Sequence, residues 1–335
     1  MLGVLYAALG AFTFALNNVA MRRGVVTGSV LQGMAVTVPI GGVSFLAMTV
    51  AFGQLGELTA FPTAAVVWLG GQGIVHFVVG RYCNYKSNQL MGVNLAGPVV
   101  QLQVPFAMML AVATLHEKFT VLQVFASALM LGGSFVTQRN AGTRTKQSVP
   151  ADASRPASAQ AFRPRVLSGY VFVLGAAICY GSSPLMARAA FLHAPGAGTA
   201  AGGTLAYVAA TLCFLLILLK PGSWRDIAAM KRQNMPWFFS SAVLVAISQA
   251  FVYASLAVAP LMVVTPILQL SLVFRLILSQ WINREHEVMN AAVMIGAVMA
   301  VVGSILVAFD TDQLMQFLEL PRSLADPLRY RLAPG

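Results

Sequence analysis

The sequence contains few charged residues. Asp, Glu, Lys and Arg make up 9% of its 335 residues, whereas a soluble domain carries about 25%. Hydrophobic residues account for 58%. So few charges cannot cover a water-facing surface, which excludes a soluble globular protein and predicts that the outer surface contacts lipid. A membrane-spanning helix needs about 20 residues, so the chain has room for about ten spans and their connections.

Acidic residues are scarcer than basic ones, with 10 Asp and Glu against 21 Lys and Arg, and the formal net charge is +11. The basic residues lie in short stretches between apolar runs, as in cytoplasmic loops that face anionic lipid. The predicted partners are therefore the lipid bilayer and a small molecule, and no nucleic acid. No acidic residue falls inside a predicted span, so a buried carboxylate site for a cationic drug is not expected.

Motifs of catalysis and metal binding are also missing. The cysteines Cys83, Cys179 and Cys213 lie in apolar runs with no CxxC spacing, which indicates packing residues and no metal site. The sequence contains no GxxxxGK[ST], HExxH or GxSxG motif. The chain is therefore predicted to be neither an enzyme nor an ATP-driven pump, and to need no cofactor.

Apolar runs predict an all-α integral membrane protein with ten transmembrane helices. The third run is the least regular, since it contains His76, Arg81, Asn84 and Lys86. The first run lacks a basic region before it and is predicted to be a retained span, not a signal peptide. The ten predicted spans are 2–21, 30–52, 64–86, 93–114, 119–138, 166–188, 199–219, 237–257, 261–282 and 288–309.

A segment rich in Ala, Ser, Pro, Arg and Gln separates the first five spans from the last five. It has almost no large apolar residues, so it is predicted to be a disordered basic linker. The predicted organisation is a five-helix repeat over 1–139, the linker over 140–165, a second five-helix repeat over 166–310 and a tail over 311–335. The tail is compatible with a short surface helix.

The two halves share uncommon residues at one spacing. Each half has an odd number of predicted spans, so the two repeats are expected in opposite orientations. Inverted repeats around a site near the midplane are typical of secondary transporters. At an offset of 168, Tyr85, Ser87, Pro98, Gln101, Leu102, Phe106 and Glu117 align with Tyr253, Ser255, Pro266, Gln269, Leu270, Phe274 and Glu285.

The segments LAGPVVQLQVPFAMMLAVATLHEKFTVLQVFASALMLGGSF and YASLAVAPLMVVTPILQLSLVFRLILSQWINREHEV carry a resemblance to a known family. With the five-plus-five repeat, the chain resembles the EamA-type carriers of the drug/metabolite transporter superfamily. The resemblance implies export of metabolites or amino acids, although other members move sugars, nucleotide sugars and drugs. The usual Leu-Gly-Glu turn is replaced by Leu115-His116-Glu117 and Asn283-Arg284-Glu285. Glu117 and Glu285 are expected to begin the next helices, where the helix dipole favours negative charge.

Uncharged polar residues within the spans are candidates for lining a substrate cavity. Gln101 and Gln269 each follow a proline by three residues, and a proline within a span frees a carbonyl that needs a partner or a water-filled cavity. Interhelical hydrogen bonding is the alternative role for each of these residues. The predicted substrate-binding set is Asn17, Gln72, His76, Gln101, Tyr180, Gln249, Tyr253, Gln269, Ser271 and Arg275.

Arg275 lies about 14 residues into the ninth span, where an arginine costs about 2.5–3.5 kcal/mol on insertion scales. It could be a structural residue satisfied by carbonyls or by Glu285, or an anchor for a carboxylate or phosphate on the substrate. The second role predicts a secondary transporter, an exporter or exchanger, of a small anionic or zwitterionic metabolite such as an amino acid. It would act as a monomer or homodimer in the inner (plasma) membrane. The alternative is a non-transporting scaffold or lipid-handling protein of the same fold.

The positive-inside rule predicts the orientation. Leaving out Arg275, fifteen Lys and Arg lie on the side of the loops after spans 1, 3, 5, 7 and 9, against five on the other side. This places the linker in the cytoplasm and both termini outside, whereas the family resemblance implies termini inside. If transport is coupled to protons, His76 is the candidate carrier, because its unperturbed pKa is about 6.5.

Overall fold

The computed structural model describes residues 2–115, 119–146, 164–258, 267–283, 285, 287, 289–308, 327–328 and 331–332. Almost all of them are helical. The helices are α1 (Leu2–Thr27), α2 (Val30–Ala51), α3 (Thr63–Gly73), α4 (Arg81–Met91), α5 (Val93–Val100), α6 (Gln103–Leu115), α7 (Val121–Lys146), α8 (Val166–His193), α9 (Thr199–Leu218), α10 (Ser223–Ala228), α11 (Met235–Val258), α12 (Ser271–Ile282) and α13 (Ala291–Ala308).

Four shorter elements are also described. A 3-10 turn covers Leu55–Thr59, and a π-helical segment, Ile74–Gly80, joins α3 to α4. Strands β1 (Phe119–Thr120) and β2 (Arg331–Leu332) pair antiparallel, with Phe119 opposite Leu332.

Six helices in the described part of the chain are long and apolar enough to cross a membrane. They correspond to predicted spans 1, 2, 3, 6, 7 and 8. Shorter apolar helices stand at the positions of the fifth, ninth and tenth predicted spans. The six long helices are Leu2–Thr27, Val30–Ala51, Thr63–Met91, Val166–His193, Thr199–Leu218 and Met235–Val252.

The fourth predicted span, 93–114, is two helices. α5 ends at Val100, residues Gln101 and Leu102 form a turn, and α6 begins at Gln103. Pro98 lies inside α5, and a proline within a helix removes one backbone hydrogen bond and crowds the preceding turn. The break therefore lies just after the residue that weakens the helix, and short turn hydrogen bonds, such as that from Leu102 N–H to the carbonyl of Val99, span it.

Two predicted boundaries were wrong. α1 continues to Thr27, beyond the predicted end at residue 21, because Arg22 finds buried partners and does not end the span. α7 continues to Lys146, so residues 140–146 are helical although they were assigned to the disordered linker. Only Ala141, Arg144 and Lys146 there are good helix formers, but adding residues to an existing helix costs much less than starting one. The rest of the predicted linker up to residue 163, and most of the tail, lie outside the described residues.

The first and second halves pack against each other throughout. α1 contacts α11 and α12, α8 contacts α3, α4, α5 and α6, α2 contacts α9, and α7 contacts α13. At Gly73 in α3 the contact is backbone to backbone, since a Cβ there would lie 2.0 Å from the carbonyl oxygen of Ala206 in α9. The bundle core thus forms mainly between the halves, with fewer contacts within each.

Side chains from each half also complete helix ends in the other half. At the start of α9, Glu57 and Gln54 accept hydrogen bonds from the backbone N–H groups of Gly198 and Ala201. At the start of α2, the N-cap residue Ser29 donates to Asp226 at 2.6 Å. The connection after α2 thus caps α9, and the connection after α9 supports the cap of α2. Negative groups at these ends are favoured by the helix dipole.

Candidate polar cavity between the two halves

A cavity of about 220 Å³ lies where the halves meet. Its wall is formed by α1, α4, α8, α11, α12 and the break between α5 and α6, so both halves contribute. Six of the ten predicted site residues line it: Gln101, Tyr180, Gln249, Gln269, Ser271 and Arg275. The other lining residues are Gly10, Ala11, Phe14, Asn84, Val100, Gln103, Ser248, Val252 and Leu268.

Arg275 is the cation on this wall. Its side chain extends from α12, and the residue is only 3% exposed. Its Nε and Nη1 atoms have no hydrogen-bond partner among the described residues. An unpaired buried donor costs about 1–3 kcal/mol, and more when it is charged. The wall therefore carries a guanidinium group with two donors that no described residue satisfies.

Gly97 allows α5 to lie directly beside Arg275. A Cβ at this position would lie 2.5 Å from Leu272 Cδ1 and 3.4 Å from Arg275 Nη1. A larger residue would displace the side chains of α12. The glycine thus fixes the guanidinium between α5 and the cavity.

Glu285, the partner considered for Arg275 in the sequence, does not neutralise it, since Glu285 is exposed and no ion pair joins these two residues. Nor does Glu285 begin the next helix, because α13 starts at Ala291. Glu287 has the helix-capping role, but at α5: its oxygens accept from the N–H groups of Val93 and Asn94, both at 3.0 Å. Glu117, the other glutamate expected to cap a helix, lies outside the described residues.

Glu287 is also engaged by Arg22. Arg22 Nε donates to Glu287 Oε1 at 3.1 Å, and both side chains are buried, at 1% and 0% exposure. Arg22 Nη1 donates to the carbonyl oxygens of Asn88 and Gln89. The buried carboxylate of Glu287 is therefore already paired with another arginine and with two backbone N–H groups.

Amide side chains surround the rest of the cavity. Gln101 occupies the turn between α5 and α6, and its Oε1 accepts a long 3.4 Å hydrogen bond from Gln103 Nε2. Gln249 projects from α11, and Gln269 from the segment before α12. Each amide offers two donors and one acceptor oxygen. The wall can thus bind hydroxyl, carbonyl and carboxylate groups of a small polar molecule.

Gln72 and His76 lie behind the cavity wall and not on it. Gln72 Nε2 donates to Ser183 Oγ, and His76 Nδ1 hydrogen-bonds the same hydroxyl, both at 2.9 Å. The His76 ring packs on Tyr180, with 4.7 Å between ring centroids. These two residues join the third span to α8 and support Tyr180, which does face the cavity.

Asn17 is placed away from the cavity. It is buried, and its Oδ1 accepts a hydrogen bond from Ser241 Oγ of α11 at 2.5 Å. This is the interhelical role considered for such residues in the sequence. The side chain of Tyr253 lies outside the described part of α11.

Three polar lining residues were missing from the predicted set. Asn84, Gln103 and Ser248 face the cavity. Ser248 directly precedes Gln249, and Gln103 lies two residues after Gln101. Asn84 was visible only as a polar interruption of the third span. The helix break at Gln101 brings Gln103 to the same wall, and no periodicity rule predicts this placement.

Comparisons with known proteins agree with this architecture. Residues 1–139 match the EamA-like transporter family, and residues 227–322 match the family described as Magnesium transporter NIPA. No curated protein sequence is significantly similar to the chain. Fourteen chains of solved structures are similar in structure. One, described only as a crystal structure of a protein, has 15% identity and a TM-score of 0.51, and covers 94% of this chain and 99% of its own.

Both family matches are to membrane transporters. With the long apolar helices, they define the chain as a multi-pass membrane protein and indicate a membrane transporter. The resemblance to EamA-type carriers that the sequence motifs indicated is confirmed over residues 1–139. The structural similarity at 15% identity concerns the fold alone.

Proposed function

We propose that the chain is a secondary transporter that carries a small anionic or zwitterionic polar metabolite across the inner (plasma) membrane, and that Arg275 binds the anionic group of this substrate. The observation that carries the proposal is the buried guanidinium on the cavity wall, two of whose donors lack a partner among the described residues. A planar fork of donors suits carboxylate and phosphate groups. Binding an anion there offsets the cost of burying the charge.

The reciprocal packing supports ten spans in two inverted five-helix repeats. If α1 corresponds to α8, the contacts of α1 with α11 and α12 correspond to those of α8 with α3–α4 and α5–α6. The mutual caps at α2 and α9 fit the same correspondence. In this arrangement the cavity lies near the midplane between the repeats, where secondary transporters bind their substrates.

The cavity size supports a small substrate. Pockets for drug-sized ligands measure about 300–1,000 Å³, and this cavity measures about 220 Å³. Magnesium, named in the description of the family matched by residues 227–322, is a less suitable substrate for this wall. A divalent cation would be repelled by Arg275 and would meet only neutral oxygens on the described lining.

Uptake by proteoliposomes containing the purified chain tests the proposal. The panel includes organic acids, amino acids, lipophilic cations and Mg²⁺, and the variants are Arg275→Gln and Arg275→Lys. Losing one partner of a buried charge pair costs about 2–5 kcal/mol, so Arg275→Gln should weaken substrate binding by about 30-fold to several thousand-fold. Lys keeps the charge without the fork, so Arg275→Lys should retain part of the activity.

Arg232→Gln is the matched control, since Arg232 is exposed in the connection before α11. It should transport like the unmodified protein. Normal transport by Arg275→Gln, or uptake restricted to cations, would contradict the proposal. No uptake of any compound by folded protein would favour the scaffold or lipid-handling alternative.

A further inference from the structure

We infer that the substrate carries a net negative charge, so that organic acids with hydroxyl or carbonyl groups are preferred over zwitterionic amino acids of the same size. The inference rests on the proposed function and narrows its substrate class. It follows from the buried charged side chains around the cavity.

A second buried guanidinium, that of Arg81, lies behind the cavity wall. Arg81 is 4% exposed and lies one turn before Asn84, which lines the cavity. Tyr180, also on the wall, is within electrostatic range of both Arg81 and Arg275. The wall at Tyr180 thus has one guanidinium in the cavity and one behind it.

The partners of Arg81 in the described structure are neutral. Its Nη1 donates to the carbonyl oxygen of Thr37, and its Nη2 donates to the hydroxyl of Tyr207. Its guanidinium also lies over the rings of Phe77 and Tyr207, at 5.2 and 5.7 Å from their centroids. These contacts hold the group in place but leave its positive charge uncompensated.

The buried carboxylate of this region, that of Glu287, already has a positively charged partner. Glu287 pairs with Arg22, and this is the one ion pair among the described residues. Counting that pair as neutral, Arg275 and Arg81 leave two positive charges. A net anion lowers this excess, whereas a zwitterion brings a positive charge together with its negative one and leaves the excess unchanged.

The glutamine amides on the cavity wall further favour hydroxy and keto acids over amino acids. A hydroxyl or carbonyl group beside the bound carboxylate can hydrogen-bond the amides of Gln101, Gln249 or Gln269. An ammonium at the same carbon would lie close to the Arg275 guanidinium, in a medium where repulsion between like charges is stronger than in water. Its partners on the described wall would be neutral oxygens only.

The test uses pairs of substrates that differ only at the second carbon and whose amino acid is a net-neutral zwitterion, lactate with alanine and glycolate with glycine. Proteoliposomes containing the full chain are assayed for uptake of each compound at limiting concentration and pH 7. We expect kcat/KM for the hydroxy acid to exceed that for the amino acid by about tenfold or more in each pair. The ratio within a pair does not depend on the fraction of folded protein.

Three results distinguish the possibilities. Equal or preferred uptake of the amino acids, abolished by Arg275→Gln, would overturn this inference and leave the proposed function standing. Uptake that Arg275→Gln does not change, or absence of uptake both of these four compounds and of the wider panel, would overturn both. A preference of the unmodified protein for the hydroxy acids, together with loss of their uptake in Arg275→Gln, would support both.

A second variant tests the role of Arg81 through the same ratio. Arg81→Gln should lower the preference for hydroxy acids several-fold, and Arg81→Lys should retain it, because only the first removes the charge. An unchanged ratio in Arg81→Gln would show that the second charge plays no part and would overturn the argument from two arginines.

Discussion

Replacing Glu287 by Gln should destabilise the protein by about 3–5 kcal/mol, the cost of removing one partner of a buried ion pair. Arg22 would keep its hydrogen bonds to the carbonyls of Asn88 and Gln89 but would lose its counter-charge. The amide of Gln has one acceptor oxygen, whereas Glu287 accepts from the N–H groups of both Val93 and Asn94. Loss of one such cap contributes about 0.5–2 kcal/mol to this cost.

The measurement is a double-mutant cycle with Arg22→Met, Glu287→Gln and the combined variant, using unfolding by denaturing detergent in mixed micelles. The combined variant removes both charges, so it should be more stable than the sum of the single effects predicts, with a coupling energy of at least about 1.5 kcal/mol. Additive effects, within about 0.5 kcal/mol, would refute the reasoning. Glu285→Gln serves as the control and should change stability little, because Glu285 is exposed.

Three further outcomes follow from the structure. Gly73→Ala should prevent normal packing of α3 on α9, because the added Cβ would meet the carbonyl of Ala206. Gly56→Ala is the control and should be tolerated, because Gly56 has open space around it. Yield and thermal stability of the purified variants compare the two. His76→Gln should leave the pH dependence of transport under an imposed pH gradient unchanged, since His76 bonds Ser183 behind the wall, and a lost dependence would assign it a role in proton coupling. A reporter fused after Gly335 should read as periplasmic or exoplasmic: leaving out Arg22 and Arg81, whose side chains are buried, thirteen Lys and Arg remain on the linker side against five. A cytoplasmic reading would reverse the orientation and leave the fold intact.

Two residues of the cavity could be predicted from the sequence because each is unusual within an apolar span. Arg275 stood out because a charge within an apolar span is costly, and Gln101 stood out because a proline precedes it. Both line the cavity. Their signals are local, since each depends on a residue type within one helix. Such signals identify polar residues in a span but not whether they face a cavity or another helix, as Asn17 and Gln72 illustrate.

The Arg22–Glu287 pair could not be predicted from the sequence. The two residues are 265 positions apart, and both were assigned to connections between spans. The sequence therefore suggested surface charges, and Arg22 was counted among the residues that set the orientation. Burial of the pair depends on how α1, α5 and the connection before α13 meet. No periodicity within a single helix contains that information.

The mutual caps at α2 and α9 have a consequence for how the protein is made. Ser29 bonds to Asp226, which is 197 residues later in the chain, and α1 packs on α11 and α12, which are also synthesised late. At about 5–20 residues per second, ribosomes need about 10–40 seconds to produce that length. During this interval the first half is in the membrane without its final neighbours, and Arg22 and Asn17 of α1 lack Glu287 and Ser241, their partners in the second half. The first half can therefore reach its final packing only after the second half has been synthesised.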